Sequence, residues 1–181
     1  GAGAMAALIG LDSETVAAVA AEAAEGAVCS PANDNGGGQV VVSGDKAAVE
    51  RAVEIAKAKG AKRALLLPVS APFHCALMAP AADVMQQALA DVALAAPVVP
   101  LVANVTAGPV TDPDEIRANL VRQVTGMVRW RESVEWLSGA GVGRFVELGA
   151  GRVLSGLAKR IASGAETLTV GAPDDIEAAV E

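Results

Sequence analysis

The chain has 181 residues and a net charge of −7, with only four aromatic residues: Phe73, Trp130, Trp136 and Phe145. That combination supplies neither the basic surface that displaces counterions from a polyanion nor the rings on which bases stack, so nucleic acid is not an expected partner. No apolar run reaches the ~18 residues of a membrane span, and no basic-then-apolar leader opens the chain, so no membrane partner is expected either. An apolar share of 52%, spread along the whole length, is too high for disorder.

The first 70 residues alternate between short apolar runs and amphipathic stretches. Ala4–Gly10 reads as a buried strand, and Asp12 or Ser13 supplies the cap of a helix with Val16, Val19, Ala20 and Ala23 on one face. Ala27–Ser30 and Gln39–Ser43 read as strands joined by the turn-forming run Asn33-Asp34-Asn35-Gly36-Gly37-Gly38. Asp45 is expected to cap a second helix lined by Val49, Ala52, Val53 and Ala56, and Ala64–Val69 is a fourth strand. The order βαββαβ is that of a ferredoxin-like module, in which each helix can cover one face of a four-stranded antiparallel sheet.

Beyond Val69 the pattern changes. Ala71-Pro72-Phe73-His74-Cys75 leads into a helix with Met78, Ala82, Met85, Leu89 and Val92 at spacings of three and four. Val98–Ala103 reads as a strand and Asn104–Val110 as a turn-rich link. Asp112-Pro113-Asp114-Glu115 starts a helix over 112–126, with a capping Asp and Pro in the first turn. Trp130–Leu137 is a further helix. Arg144–Leu148 runs through Gly149-Ala150-Gly151 into a helix bearing Val153, Leu154, Leu157 and Ile161, before a last strand at Thr167–Val170. Strands alternating with helices indicate a parallel α/β sheet.

The chemistry-bearing candidates are few. Gly149–Gly156 fits neither the dinucleotide fingerprint, where Leu154 replaces the third glycine, nor the phosphate-loop pattern, which should continue Lys-Ser/Thr but continues Leu157-Ala158. A weaker anion site at that helix N-terminus, aided by Arg152, stays open. No Gly-x-Ser-x-Gly elbow occurs, so the residues show no nucleophile. Cys29 and Cys75 have neither metal-site nor disulfide-framework spacing, which leaves two reduced thiols, no metal site and a cytoplasmic protein as the expectation. His74, the only histidine, is either a structural residue or a general base. Pairing with its neighbour Cys75 is disfavoured by the divergent directions of adjacent side chains. Asn33 and Asn35 read as turn residues and Gln123 as a boundary polar residue on an amphipathic helix. Residues 117–160 carry eight basic and three acidic residues, which suits solvated helix faces or a docking surface for an anion or acidic partner.

Four ordered stretches resemble the malonyl-CoA:acyl carrier protein transacylase family of bacterial fatty-acid synthesis. They are residues 30–44 (SPANDNGGGQVVVSG), 69–80 (VSAPFHCALMAP), 120–130 (LVRQVTGMVRW) and 146–157 (VELGAGRVLSGL). The resemblance implies a ferredoxin-like subdomain (residues 1–70) inserted in an α/β-hydrolase-like acyltransferase core, whose C-terminal part is residues 71–181. It implies ping-pong transfer of malonyl from coenzyme A, through a seryl ester, to the phosphopantetheine thiol of acyl carrier protein. Malonyl-CoA and acyl carrier protein are then the partners, and no cofactor is needed beyond the coenzyme A thioester that serves as substrate. By the same resemblance His74 is the catalytic base and Gln123 orients it through its main-chain carbonyl. Phe73 crowds the acyl α-carbon, and Asn33 and Asn35 join it as candidate substrate-binding residues.

The family's oxyanion-hole Gln loop, its Gly-His-Ser-Leu-Gly elbow and its carboxylate-pairing Arg have no counterpart in this sequence. The chain also opens Gly1-Ala2-Gly3-Ala4-Met5, without an initiator Met. The expectation is a C-terminal portion of the enzyme that carries the base and is inactive alone. A non-catalytic module that docks acyl carrier protein, and part of a polyketide synthase acyltransferase domain, are the alternatives.

Overall fold

In the computed structural model, residues 3–180 are described, and they form two compact units that divide after Trp130. The first unit begins with β1 (Gly3–Ile9), α1 (Ser13–Ala24), β2 (Cys29–Asp34), β3 (Gln39–Asp45), α2 (Lys46–Ala58) and β4 (Arg63–Leu66). The four strands lie in the order β2-β3-β1-β4 and are antiparallel throughout, with Ala6 opposite both Val42 and Leu66. This is the ferredoxin-like arrangement that the βαββαβ order predicts.

Strand alternation sorts the core onto two faces. Ala6, Leu8, Val40 and Val42 face Val16, Val19, Ala20 and Ala23 of α1 and Val49, Ala52, Val53 and Ala56 of α2. Met5, Ala7, Ala32 and Val41 line the opposite face, with Leu67 packed against them. The alanines that dominate the composition keep both helices close to the sheet, and valine supplies the bulk between them.

The caps agree with the sequence at α1, where the Thr15 amide donates to Asp12 Oδ1 at 2.7 Å. They differ at α2. The Asp45 carboxylate makes no cap bond and instead accepts from the Val28 amide at 2.8 Å, closing the chain before β2 onto the end of β3. At the neighbouring Gly44 an added Cβ would lie 2.0 Å from the Val28 carbonyl oxygen, so only glycine fits this crossing.

The rest of the first unit holds a 3-10 turn (Ala76–Met78), α3 (Ala79–Ala90), the two-residue strands β5 (Leu101–Val102) and β6 (Pro109–Val110), and α4 (Pro113–Arg122). β5 and β6 form an antiparallel hairpin, so the strand expected at 98–103 is confined to Leu101–Val102, and the turn-rich link expected at 104–110 is the hairpin's turn together with its second strand. No residue of α3 is buried. Its expected inner face is only half-covered at Ala82 and Leu89, and Met85 and Val92 are exposed. The end of α3 is held by Arg117 of α4, whose guanidinium donates to the Leu89 carbonyl and, at 2.8 Å, to that of Val92.

The second unit contains α5 (Trp130–Gly139), β7 (Arg144–Leu148), α6 (Val153–Ile161), β8 (Glu166–Val170), a short 3-10 turn and α7 (Ile176–Val180). β7 and β8 pair in parallel across the α6 crossover, from Arg144 opposite Glu166 to Leu148 opposite Val170. The parallel α/β character expected of the C-terminal region is therefore present here. Among the described residues no helix is long and apolar enough to cross a membrane.

Replacing Gly44 by Ala must push the Cβ into fixed backbone, not a yielding side chain. We expect Gly44→Ala to cost about 1–3 kcal/mol, read as a lower urea midpoint, as overpacking does elsewhere. An unchanged midpoint would show that the Val28 crossing is looser than described.

Candidate active site

His74 sits where the chain turns from the ferredoxin-like sheet into α3. Pro72 packs against the start of β1 so closely that a Cβ on Gly3 would lie 2.3 Å from its Cγ. The Phe73 amide bonds back to the Ala71 carbonyl at 3.1 Å, and the Cys75 thiol donates to the Pro72 carbonyl at 3.2 Å. Between them His74 takes φ of 60°, a left-handed conformation that costs a residue other than glycine about 1–3 kcal/mol. The cost is tolerated because the turn aims the imidazole at one partner.

That partner is the main-chain carbonyl of Gln123, 3.0 Å from His74 Nδ1. Gln123 is the C-cap of α4, so its carbonyl is among the terminal groups that the helix leaves without an amide donor. A carbonyl can only accept, so Nδ1 carries the proton and the neutral ring presents its lone pair at Nε2. The partial negative charge at the helix C-terminus favours the same orientation and becomes more favourable when the ring is protonated. Gln123 thus meets His74 through its backbone, while its side chain goes elsewhere: Oε1 accepts from Asn104 Nδ2 at 2.9 Å.

The other predicted site residues divide. Phe73, beside His74, is 41% exposed and presents its ring to solvent. Asn33 lies within β2, where the sequence places a turn, and forms a parallel bridge with Val128. The flanking bonds run from the Val128 amide to the Ala32 carbonyl and from the Asp34 amide to the Val128 carbonyl, both at 2.9 Å. Asn33 is therefore tied by its backbone to the segment that follows Gln123. Asn35 is in the β2–β3 turn, its amide bonded to the Gln39 carbonyl at 3.0 Å, and it makes no hydrogen bond with His74 or Gln123 among the described residues.

A hollow of about 110 Å³ lies beside Gln123, lined by β5, Asn104, Ile116, Asn119 and Leu120. Asn119 is buried there, its Oδ1 accepting from Arg122 at 3.2 Å and its Nδ2 unpartnered. Asn104 belongs to this site and was not singled out by the sequence. An asparagine between two short strands carries the signal of a turn and nothing more.

Two other candidates are accounted for by structure. The N-terminus of α6 is occupied by Glu147 of β7. Its carboxylate accepts from the amides of Leu154 at 3.1 Å and Ser155 at 2.8 Å, and the Ser155 amide foremost holds its pKa below the ordinary carboxylate value. Much of the basic stretch is likewise engaged. Arg117 holds the end of α3, Arg129 reaches the Val105 and Thr106 carbonyls, Arg131 pairs with Glu135 and Arg144 with Glu166. Cys29, its thiol pushed up to about 11 chiefly by burial, and the buried Cys75 are both free. Among the described residues no three His, Cys, Asp or Glu side chains converge as metal ligands would.

With the fold and the carbonyl-held imidazole described, comparison with known proteins shows what the chain is similar to. Along its whole length the chain is homologous to malonyl CoA-acyl carrier protein transacylases. It is 51% identical over 181 residues to the transacylase of Escherichia coli (strain K12), covering all of this chain and 59% of that one. The acyl-carrier-protein-S-malonyltransferase of Bartonella henselae superposes with a TM-score of 0.95 at 57% identity, over 99% of this chain and 57% of that one. A second structure, a malonyl-transacylase in complex with a type II PKS acyl-carrier protein, superposes with a TM-score of 0.92 at 46% identity, over 99% of this chain and 58% of its own. The chain therefore spans somewhat under two thirds of the length of these relatives. No protein-family model matches it.

Glu147 gives the second unit a defined pH response. Its folded pKa is lowered, so the stability it contributes is present above the unfolded carboxylate value and is lost as pH falls through the folded one. A carbon-detected titration should place the Glu147 midpoint below 4.5. A midpoint at or above that value would mean that the α6 amides do not hold the carboxylate in solution.

Proposed function

We propose that this chain contributes the general base to malonyl transfer from coenzyme A to the phosphopantetheine thiol of acyl carrier protein. The observation that carries the reading is the 3.0 Å bond from His74 Nδ1 to the Gln123 carbonyl, in a chain homologous throughout to transacylases of that name. With Nδ1 committed, Nε2 takes the proton from a seryl hydroxyl as it attacks the thioester, then returns it to the departing thiolate. In the second half-reaction the same nitrogen deprotonates the carrier thiol and reprotonates the serine. A carbonyl does the orienting work of a triad carboxylate while adding no charge to the site.

In this reading residues 1–70 are the inserted subdomain and residues 71–181 part of the acyltransferase core, with Phe73 and the asparagines of the β2 segment beside the acyl group. The serine and the malonate-pairing arginine have no counterpart in the sequence, so the 181 residues transfer nothing unaided. The complex of a 46% identical malonyl-transacylase with an acyl-carrier protein supports a carrier protein as the partner.

The test is malonyl transfer from malonyl-CoA to holo acyl carrier protein, with the chain alone and mixed with a polypeptide carrying the nucleophile elbow and arginine of a relative. The chain alone should be inactive, the mixture active, and His74→Ala should reduce the mixture's rate by roughly 10²–10⁴-fold, the range of a lost general base. Transfer by the chain alone, or a mixture indifferent to His74→Ala, contradicts the reading. Binding of carrier protein with no turnover in any mixture favours a docking module instead.

A further inference from the structure

We infer that Asn104 is a positioning residue for the base, acting on His74 through Gln123; the inference rests on the reading of His74 as that base. The Gln123 carbonyl belongs to the C-cap residue of α4, held from the helix side by the Gln123 amide on the Asn119 carbonyl at 3.0 Å and the Val124 amide on that of Val121 at 3.1 Å. What fixes the residue from the other side is its own side chain, whose Oε1 accepts from Asn104 Nδ2 at 2.9 Å. One residue thus holds the imidazole with its backbone and is itself held by its amide.

Asn104 is suited to be the fixed end of this chain. It follows β5 in a tight turn where the Ala103 amide bonds to the Gly108 carbonyl at 3.2 Å and the Ala107 amide to the Ala103 carbonyl at 2.8 Å. Its own carbonyl accepts from the Arg129 amide at 3.1 Å. The guanidinium of Arg129 donates to the Val105 and Thr106 carbonyls at 3.4 and 3.2 Å, so the same residue grips the turn twice. The Asn104 side chain therefore projects from a framework held by its neighbours, and it transmits that framework's position to the helix end. The unpartnered Nδ2 of Asn119 in the adjoining hollow sets a contrast: of the two asparagines there, only Asn104 uses its Nδ2 on Gln123.

His74 is the only histidine, so a long-range proton–nitrogen spectrum of the labelled 181-residue chain reports a single imidazole. The parent should show the proton on Nδ1. Asn104→Ala and Gln123→Met should each lower the ratio of Nδ1–H to Nε2–H rings by roughly two- to tenfold, the effect of one net hydrogen bond. The double variant should go no further than either single one, and Gln123→Glu, which keeps an acceptor for Asn104, should retain the parent ratio.

A parent ratio preserved in folded Asn104→Ala and Gln123→Met overturns the inference, as do additive effects in the double variant. If Asn104→Ala does not fold, the comparison of Gln123→Met with Gln123→Glu decides, and equal ratios overturn it. A parent ring protonated on Nε2 overturns instead the reading of His74 beneath it, which keeps the two failures distinct.

Discussion

A helix that ends in a folded protein leaves carbonyl groups without donors, and something must satisfy them or water will. In this chain the carbonyl at the end of α4 is satisfied by an imidazole N–H, and the other features of the site serve that bond. The ring reaches it only because His74 accepts a positive φ. The turn is fixed because Pro72 packs on a strand with no side chain at Gly3. The helix end stays in place because its cap residue is anchored to the β5–β6 turn and because the following segment joins β2 as a parallel bridge at Val128. Sheet, hairpin and helix converge on one proton position.

The choice of a carbonyl has an electrostatic consequence. A carboxylate partner would stabilise the imidazolium more strongly but would have to be desolvated to reach the ring. A carbonyl at a helix C-terminus supplies direction and a partial charge without that penalty.

Local structure was legible wherever the pattern was local. The period-two strands and period-three-to-four helices of the first 66 residues, the Gly36–Gly38 turn and the Asp12 and Asp112 caps all appear as their residues suggest. What was not legible depends on distant chain. Asn33 and Asp34 have turn chemistry yet extend β2, because they pair with Val41 and Val40 of β3 and the Val128 backbone bridges their other edge. Asp45 forgoes its helix for the Val28 amide, a demand visible only once β2 and β3 are paired. The β5–β6 hairpin consists of two-residue strands, too short to register as alternation. His74 and Gln123 are 49 residues apart, and no spacing rule connects them; only the family resemblance brought them together before the fold did. Asn104 had neither signal.

The central claim is the position of one proton, and neutron diffraction from deuterium-exchanged crystals of the chain observes it directly. The account predicts deuterium density on His74 Nδ1 directed at the Gln123 carbonyl oxygen and none on Nε2 at a pH where the ring is neutral. Density on Nε2, or a ring turned away from Gln123, would contradict it.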